Sequence, residues 1–494
     1  MKNQTGRIIR RSAQANPKSG LDSVRQTSRL PDRGRNETPR GIADRIVMRR
    51  IDSLRPFPNN PRRHPKSQIA ALMKSIKRVW TNPVLIDEYG NILAGHGRLE
   101  AARRLGMTEV PTLTISGLSE NEKRAIVIAD NRLPERAVWD FELLKGHFAE
   151  LISVDFEVEL TGFSTGEIDL LIDSQSSAPP SDPADDLSSF AVDGSAVTRL
   201  GDVWELGRHR LICGDALLKP TYESLMPGEL AQMVIADAPY NVRINGHAMG
   251  RGKIKHREFA MASGEMSETA FTAFLGDYMR WAIEFSQDGS IHYHFMDWRH
   301  LPELLGAARP LYAEWKNLLV WVKSNGGQGS FYRSQHELIG VFKNGIAQHI
   351  NNFGLGASGR YRTNVLTYPG VNGLHRARSG DLELHPTVKS LALVADLIRD
   401  CSRRRGIILD PFGGSGTSLL AAERTGRTAR LIELDPLYVD VTIRRFEKIV
   451  GVAAVHAESK SVFAEIAAQR ARAQGETLTK TKGADAFHAS TKKG

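Results

Sequence analysis

Two short stretches hold residues able to do chemistry on a ligand. The first is Asp237-Ala238-Pro239-Tyr240, which follows the apolar run Met233-Val234-Ile235-Ala236. An apolar strand running into an acid, with Pro fixing the turn, sets a carboxylate and a flat ring together at a strand tip. That pair suits an exocyclic amino group, whose lone pair is delocalised into its ring and is a poor nucleophile. A carboxylate accepting one amino hydrogen, with a backbone carbonyl accepting the other, pulls the nitrogen toward tetrahedral geometry. The lone pair can then attack a sulfonium methyl in line. A target base in a duplex must first leave the stack, and an aromatic face to receive it is worth ~1–3 kcal/mol. Taken alone, the tetrapeptide reads equally as a turn capped by Asp237 beside an ordinary half-buried Tyr240.

The second stretch is Gly406–Glu433. Ile407-Ile408-Leu409 reads as a buried strand, Asp410-Pro411-Phe412-Gly413-Gly414-Ser415-Gly416-Thr417 as a loop, Ser418–Arg424 as a helix ended by Gly426, and Ala429–Glu433 as the next strand. Strand, glycine loop, helix, strand and terminal acid form a dinucleotide-type βαβ unit. Glycines let backbone approach a ligand closely, and the helix N-terminus offers free N–H groups to a carboxylate. Glu433 stands 17 residues beyond Gly416, where a carboxylate can accept both hydroxyls of a ribose. By itself the loop serves a nicotinamide, a flavin or S-adenosylmethionine (AdoMet), or only makes a tight turn. Its position in the same domain as Asp237–Tyr240, with Gly214-Asp215 one short element upstream of the tetrapeptide, favours a joint site.

In order, Gly201–Ala216, Asp237–Tyr240, Trp321-Val322-Lys323, His336-Glu337, His385-Pro386-Thr387-Val388-Lys389, Asp410–Thr417 and Glu433 resemble the amino-methylating DNA methyltransferases of the permuted (beta-type) order, in which the catalytic tetrapeptide precedes the cofactor loop. The resemblance implies an α/β, Rossmann-like domain with a mostly parallel seven-stranded sheet, AdoMet as cofactor, and methylation of adenine in DNA. It makes Asp237 the acceptor from the target amino group and Tyr240 the stacking residue, within the catalytic set Asp237, Ala238, Pro239 and Tyr240. Cofactor binding falls to Asp215, Asp410, Phe412, Gly413, Gly414, Gly416, Thr417 and Glu433, with Glu433 on the ribose and Asp215 near the adenine. The family usually has Pro where this chain has Ala238; the carbonyl survives that change and some rigidity is lost. The leading Asp favours adenine over cytosine within the family. N4-cytosine methylation is the alternative, and a ParB-like DNA-binding protein with a vestigial methylase half is the third reading. Methylation at a ring carbon needs a nucleophilic Cys, usually after Pro, and Cys213 and Cys401 follow Ile212 and Asp400.

Residues 46–135 resemble the ParB/sulfiredoxin-like N-terminal domain through Leu54–Arg62, Ile92–Arg98, Ala101–Gly106 and Ile128–Arg132. In ParB relatives the equivalent of Gly95–Arg98 contacts nucleotide phosphates, and a glycine turn opening a helix beside an Arg makes that chemically reasonable. His96 and Gly97 stand where the ParB pattern has two charged residues, and a unit that only docks DNA or a partner remains the alternative. Chains pairing the two domains resemble those of mobile elements, where a methylase without a nuclease partner is expected.

These elements need a frame. The chain has 494 residues, too many for one core, and its composition predicts a basic disordered arm at 1–45, a ParB-like α/β unit at 46–172, a Ser/Pro/Asp-rich flexible linker at 173–200, the methyltransferase domain at 201–450, and a C-terminal helix and disordered tail at 451–494. In the first unit Ser67–Val79 reads as a helix capped by Ser67, with Ile69, Leu72, Met73 and Ile76 on one face. No apolar run approaches the ~18 residues of a membrane span, and two isolated cysteines give neither a disulfide framework nor a zinc site, so no metal is expected and a reducing cytoplasm fits. The net charge is +10, and residues 1–45 carry eleven Lys/Arg against four Asp/Glu. The partners expected are double-stranded DNA, held in part by salt-sensitive phosphate attraction, a second copy of the chain, and a nucleotide at the ParB-like unit, with no membrane. Target reading is expected from Asn245–Arg257, Ser324–Arg333 and Tyr361-Arg362.

Overall fold

The computed structural model describes residues 45–173, 182–185, 187, 190, 195–241, 264–324, 326, 331–353, 361–369 and 389–473. The chain divides into two compact units, one ending at Val138 and one beginning at Trp139.

In the first unit β1 (Ile46–Arg50), α1 (Lys66–Arg78), β2 (Val84–Asp87), β3 (Ile92–Ala94), α2 (His96–Arg104), β4 (Glu109–Ile115) and α3 (Glu120–Arg132) follow in chain order. The strands form one sheet in the order β1-β4-β2-β3. Ile51, Leu54, Val84, Ile86, Ile92, Leu99, Ala102 and Val110 make its core. Helix α1 starts one residue before Ser67, after Pro65. Ser67 therefore lies inside the first turn and does not cap it. Beneath α3, Lys123 is 2% exposed and reaches Asp87 at 3.0 Å. A buried ammonium persists only with such a partner.

The second unit opens with α4 (Phe141–Ser153) and α5 (Thr165–Asp173). It continues with β5 (Val203–Leu206), β6 (His209–Cys213), α6 (Lys219–Leu225), β7 (Ala231–Ala236), α7 (Glu268–Glu284), β8 (Ser286–Met296), α8 (Leu301–Ala308), β9 (Glu314–Val322), β10 (His336–Lys343) and β11 (Val365–Thr367). It ends with α9 (Leu391–Cys401), β12 (Ile407–Asp410), α10 (Thr417–Arg424), β13 (Thr428–Glu433), α11 (Pro436–Val450) and β14 (Ala454–His456). One ten-stranded sheet runs β11-β9-β10-β8-β7-β12-β13-β6-β5-β14. From β8 through β7, β12 and β13 to β6 every pairing is parallel. These are the short apolar runs that burial on both faces demands. The expected seven strands correspond to the stretch from β9 to β6. An antiparallel β5–β14 pair widens one edge, and β11 widens the other.

Helix α5 is fixed to the amino-terminal edge of this sheet. Asp169 makes a bidentate pair with Arg427, at 2.8 and 3.2 Å, and meets Arg404 at 2.9 Å. Asp155 meets Arg405 at 2.7 Å. These arginines precede β12 and β13, so α4 and α5 lie at the end of the sheet opposite the loops that follow those strands. Within 173–200, Ala184 is buried and its carbonyl accepts from Arg445 at 2.7 Å, while Asp440 accepts the backbone N–H groups of Val197 and Thr198. Among the described residues no helix is long and apolar enough to cross a membrane.

Candidate active site

Parallel strands bring their carboxyl ends to one edge, where loops gather into a crevice. Here β6, β13, β12 and β7 are neighbours in that order. Asp215, Glu433, the Asp410–Thr417 loop and Asp237–Tyr240 therefore line one edge side by side. The tetrapeptide and the glycine loop follow adjacent strands, paired at Ile408↔Met233 and Leu409↔Val234.

After β7 the chain turns through Ala238, which is buried against the cluster containing Phe274, Leu275 and Tyr278. The turn closes at Asn241, whose φ of 54° suits Asn better than most residues. Its side chain accepts from the backbone N–H groups of Gly264 and Met266 and donates to the Met266 carbonyl. The Tyr240 hydroxyl donates to Asp237 Oδ1 at 2.7 Å, and Glu337 Oε2 lies 3.3 Å from it. Lys389 Nζ stands 2.9 Å from Asp237 Oδ2 and 3.1 Å from Glu337 Oε2. Lys323 closes on the other oxygen of Glu337. Burial pushes the Asp237 carboxyl up, against the pull of Lys389. Burial acts the same way on Glu337, but Lys389 and Lys323 overcome it and hold that group at about 2. The ammonium of Lys389 is kept charged by its two carboxylates in spite of burial.

The glycine loop is built from the strand outward. Asp410 accepts from the Phe412 N–H at 2.9 Å and from the Ser418 hydroxyl. Gly413 donates to the Ile432 carbonyl at 2.8 Å, Gly414 to Glu433 Oε2 at 2.8 Å, and Asp435 to Glu433 Oε1 at 2.8 Å. The three glycines serve different ends. A Cβ on Gly413 would sit 3.0 Å from Leu431 Cδ2, and one on Gly416 2.6 Å from Thr442 Cγ2, so packing within the protein crowds a side chain at both positions, most at Gly416. A Cβ on Gly414 would meet nothing nearer than the Phe412 carbonyl oxygen at 4.0 Å. That position is open to a ligand. Gly416, at φ 83°, starts α10. The Thr417 hydroxyl accepts from Arg445 at 3.2 Å. Phe412 packs edge-on against Tyr278, with ring centroids 4.9 Å apart. Burial pushes both Asp410 and Glu433 up to about 7. Asp215 accepts from Leu217 N–H at 2.9 Å, and Gly214 donates to the Glu433 carbonyl, which ties that turn to the tip of β13.

The chain compares with known proteins in three parts. The DNA methylase family matches residues 231–444, the ParB N-terminal domain matches 37–132, and the ParB-methyltransferase HTH domain matches 142–200. Residues 231–444 thus form a DNA methylase domain of the N6/N4 family, and the chain carries an N-terminal ParB domain ahead of it. Over 81 residues the chain is 49% identical to the ParB-like nuclease domain-containing protein YnaK of Escherichia coli K12, covering 93% of that protein and 16% of this chain. A stretch of 105 residues is 34% identical to the type II methyltransferase M.ScaI of Streptomyces caespitosus, covering 21% of this chain but only 32% of that protein. The solved M1.HpyAVI–SAM complex matches at 19% identity and a TM-score of 0.34, covering 48% of this chain and 98% of that one.

Several details of this DNA methylase escaped the sequence. Glu337 and Lys389 stood in family motifs without a role, because nothing in one dimension brings residues 237, 337 and 389 together. Two buried histidines were missed altogether. His294 bonds Tyr278 and Tyr312, and His292 bonds Tyr312, Ser286 and Ser290. Their i, i+2 spacing on β8 puts them on one face, a signal that could have paired them. Burial pushes His294 down to about 3 and His292 well below the usual imidazole range, so both rings are neutral. Cys213 and Cys401 are buried thiols pushed up to about 12, mainly by burial. Arg362 was expected in target reading, but it lies 2.6 Å from Asp396 and 3.2 Å from Asp400, so its charge is compensated within the fold. Phe331 and Tyr332 are 86% and 87% exposed. Asn245–Arg257 and His385–Val388 lie outside the described residues. The stretch 142–173, inside the HTH match, holds eight Asp/Glu and one Lys. Phosphate contact requires the opposite sign.

Proposed function

We propose that the chain transfers a methyl group from AdoMet to the exocyclic amino group of adenine in double-stranded DNA. The observation that carries this reading is the placement of Asp237 and the Gly414 cradle at the tips of adjacent parallel strands, with no strand between them. Three features fit AdoMet: the open position over Gly414, the free N–H groups at the start of α10, and the carboxylates of Glu433 and Asp410. Bound AdoMet supplies a methyl on a positively charged sulfur, which leaves as a neutral thioether.

The chain's own groups do the rest. Glu433 accepts the ribose hydroxyls, and Phe412 borders the cradle. Asp237 accepts one hydrogen of the target amino group and the Ala238 carbonyl the other, while the Tyr240 ring receives the base outside the stack; the nitrogen that gains the methyl then sheds one proton to solvent. The choice of adenine rests on the family tendency that goes with a leading Asp; an ionised acceptor polarises the amino group of adenine or cytosine alike. Phe331 and Tyr332, exposed and in edge contact at 4.5 Å, offer aromatic faces on which a base can stack. Labelled AdoMet incubated with unmethylated DNA, followed by hydrolysis to nucleosides, tests the proposal. Label in N6-methyladenosine supports it. Label in N4-methylcytidine moves the reading to cytosine, and absence of label leaves a DNA-binding protein with an inactive methylase half.

A nucleotide phosphate is the second ligand we propose, at Gly95–Arg98 of the first unit. The Arg98 guanidinium folds over Gly95, its Nε is buried without a partner, and it lines a cavity of about 150 Å³ with Asn60, His64 and Asn131. Calorimetry with nucleoside triphosphates on wild type and Arg98→Ala tests this. Equal heats for the two proteins reject it.

A further inference from the structure

Two carboxylates meet at the transfer end of the crevice, and a third stands within Coulombic reach. The Tyr240 hydroxyl lies between Asp237 and Glu337, and Asp410 stands close enough to Asp237 for their charges to interact. Like charges this close cannot all stay ionised without compensation, and the group that takes a proton stops being a pure acceptor. A protonated Asp237 would offer a donor to an amino group that needs an acceptor.

The compensation is Lys389, 6% exposed, whose Nζ lies between Asp237 Oδ2 and Glu337 Oε2. Neither approach has hydrogen-bond angles, so the ammonium acts as a point charge. The rings of Tyr240 and Phe295 each lie 5.3 Å from it, and their faces favour a cation. Lys323 neutralises the far oxygen of Glu337 and stacks at 4.8 Å on Trp321. Glu337 thus has a second cation beside it, and the charge of Lys389 is shared between Glu337 and Asp237. The side chain of Asp237 keeps 24% exposure, so it stays reachable by a substrate while Lys389 is closed off behind it. The groups facing Asp237 are Lys389 from the segment before α9, Glu337 from β10, Tyr240 from its own turn, Tyr278 from α7 and Asp410 from β12.

We infer that Lys389, backed by the Glu337–Lys323 pair, is a positioning residue that keeps Asp237 an ionised acceptor and holds its free face, with the Tyr240 ring, toward the target amino group. The inference rests on the amino-methylation reading. The seat makes and breaks no bond and moves no proton, and Lys389 stays an ammonium throughout.

The test uses the full chain. Lys389→Met should lower kcat at neutral pH at least thirtyfold and move the acid limb of the kcat–pH profile up by at least one pH unit. AdoMet Kd should stay within threefold. Lys389→Arg, which keeps the charge, should bring the limb back toward wild type even where packing lowers the rate. Adding Glu337→Gln to Lys389→Met should recover part of the loss, because it removes the like charge left facing Asp237. Independently of turnover, carbon NMR of aspartate-labelled chain, with the Asp237 signal assigned by its loss in Asp237→Asn, should show its titration midpoint rising in Lys389→Met. An unmoved midpoint and an unmoved limb overturn the inference. A moved midpoint in a chain that transfers no methyl keeps the seat and rejects the methylation reading.

Discussion

Both units use the same local device: a strand, a glycine with positive φ, and a helix. In the first unit β3 leads to Gly95, at φ 96°, which starts α2; in the second β12 leads through its loop to Gly416, at φ 83°, which starts α10. They differ in position and in charge. β3 is an edge strand, whereas β12 lies between β7 and β13. The turn at Gly95 therefore draws its lining from α3, through Asp130 and Asn131, and from the loop before α1, through His64. The turn at Gly416 has a strand tip on either side, one bearing Asp237 and the other Glu433. The side chain over the first turn is a guanidinium, and those around the second are carboxylates. A glycine turn supplies free N–H groups in both cases, and the neighbours decide between an anion and a hydroxyl-bearing, cationic ligand.

The comparison breaks most sharply at the strand tip that only the second turn has. Asp237→Ala should lower methyl transfer by about 10²–10⁴-fold while AdoMet affinity changes by no more than about threefold, because the carboxylate acts on the transition state. A large loss of cofactor affinity, read by calorimetry, would place Asp237 in the cofactor site instead.

Within the loop, two substitutions of equal size should part company. Gly416→Ala puts a methyl 2.6 Å from Thr442 Cγ2 at φ 83° and should destabilise the chain by about 2–5 kcal/mol. Gly414→Ala meets open space, so its stability loss should stay near 1 kcal/mol, and its main effect should be about tenfold weaker AdoMet binding. Thermal melts with and without AdoMet separate the two. Equal melts would show that Gly414 is also a packing glycine.

The carboxylate character of the second turn gives a pH dependence. Burial holds Glu433 near 7. Below that it is protonated and a poorer acceptor for ribose hydroxyls. AdoMet affinity should rise as pH increases through about 7, and Glu433→Gln should remove that slope. In unliganded protein the sign for stability is the reverse. The folded pKa exceeds the unfolded one, so the contribution of Glu433 is full below about 4.5 and lost as pH rises toward 7.

The smallest effect belongs to the first turn. His96 Nε2 accepts from the Phe57 backbone N–H at 3.2 Å, and burial, then the nearby His64, holds the ring down at about 4. Between about 6.5 and 4 the unfolded chain binds the proton more readily. The first unit should therefore lose stability as pH falls through that window. Hydrogen exchange of α2 amides in full-length protein should show it, and His96→Gln, which keeps an acceptor, should flatten it. A slope unchanged by that substitution would assign the pH response to another group.

By itself the sequence determined what repeats along the chain or depends on near neighbours. The apolar runs of β7, β12 and β13, the proline after Asp237 and the glycines of the loop are local requirements of strand, turn and helix start, and each stands in the structure where its residue type predicted. What only the tertiary structure decided is which distant charges meet. Lys389 and Glu337 stand 152 and 100 residues beyond Asp237, and only the pairing of β10 with β8, β8 with β7 and β7 with β12 brings them to one carboxylate. Arg362 looked free to contact DNA until the fold placed Asp396 and Asp400 beside it. Coulombic interaction depends on distance in space and on exclusion of water, and a one-dimensional pattern carries neither.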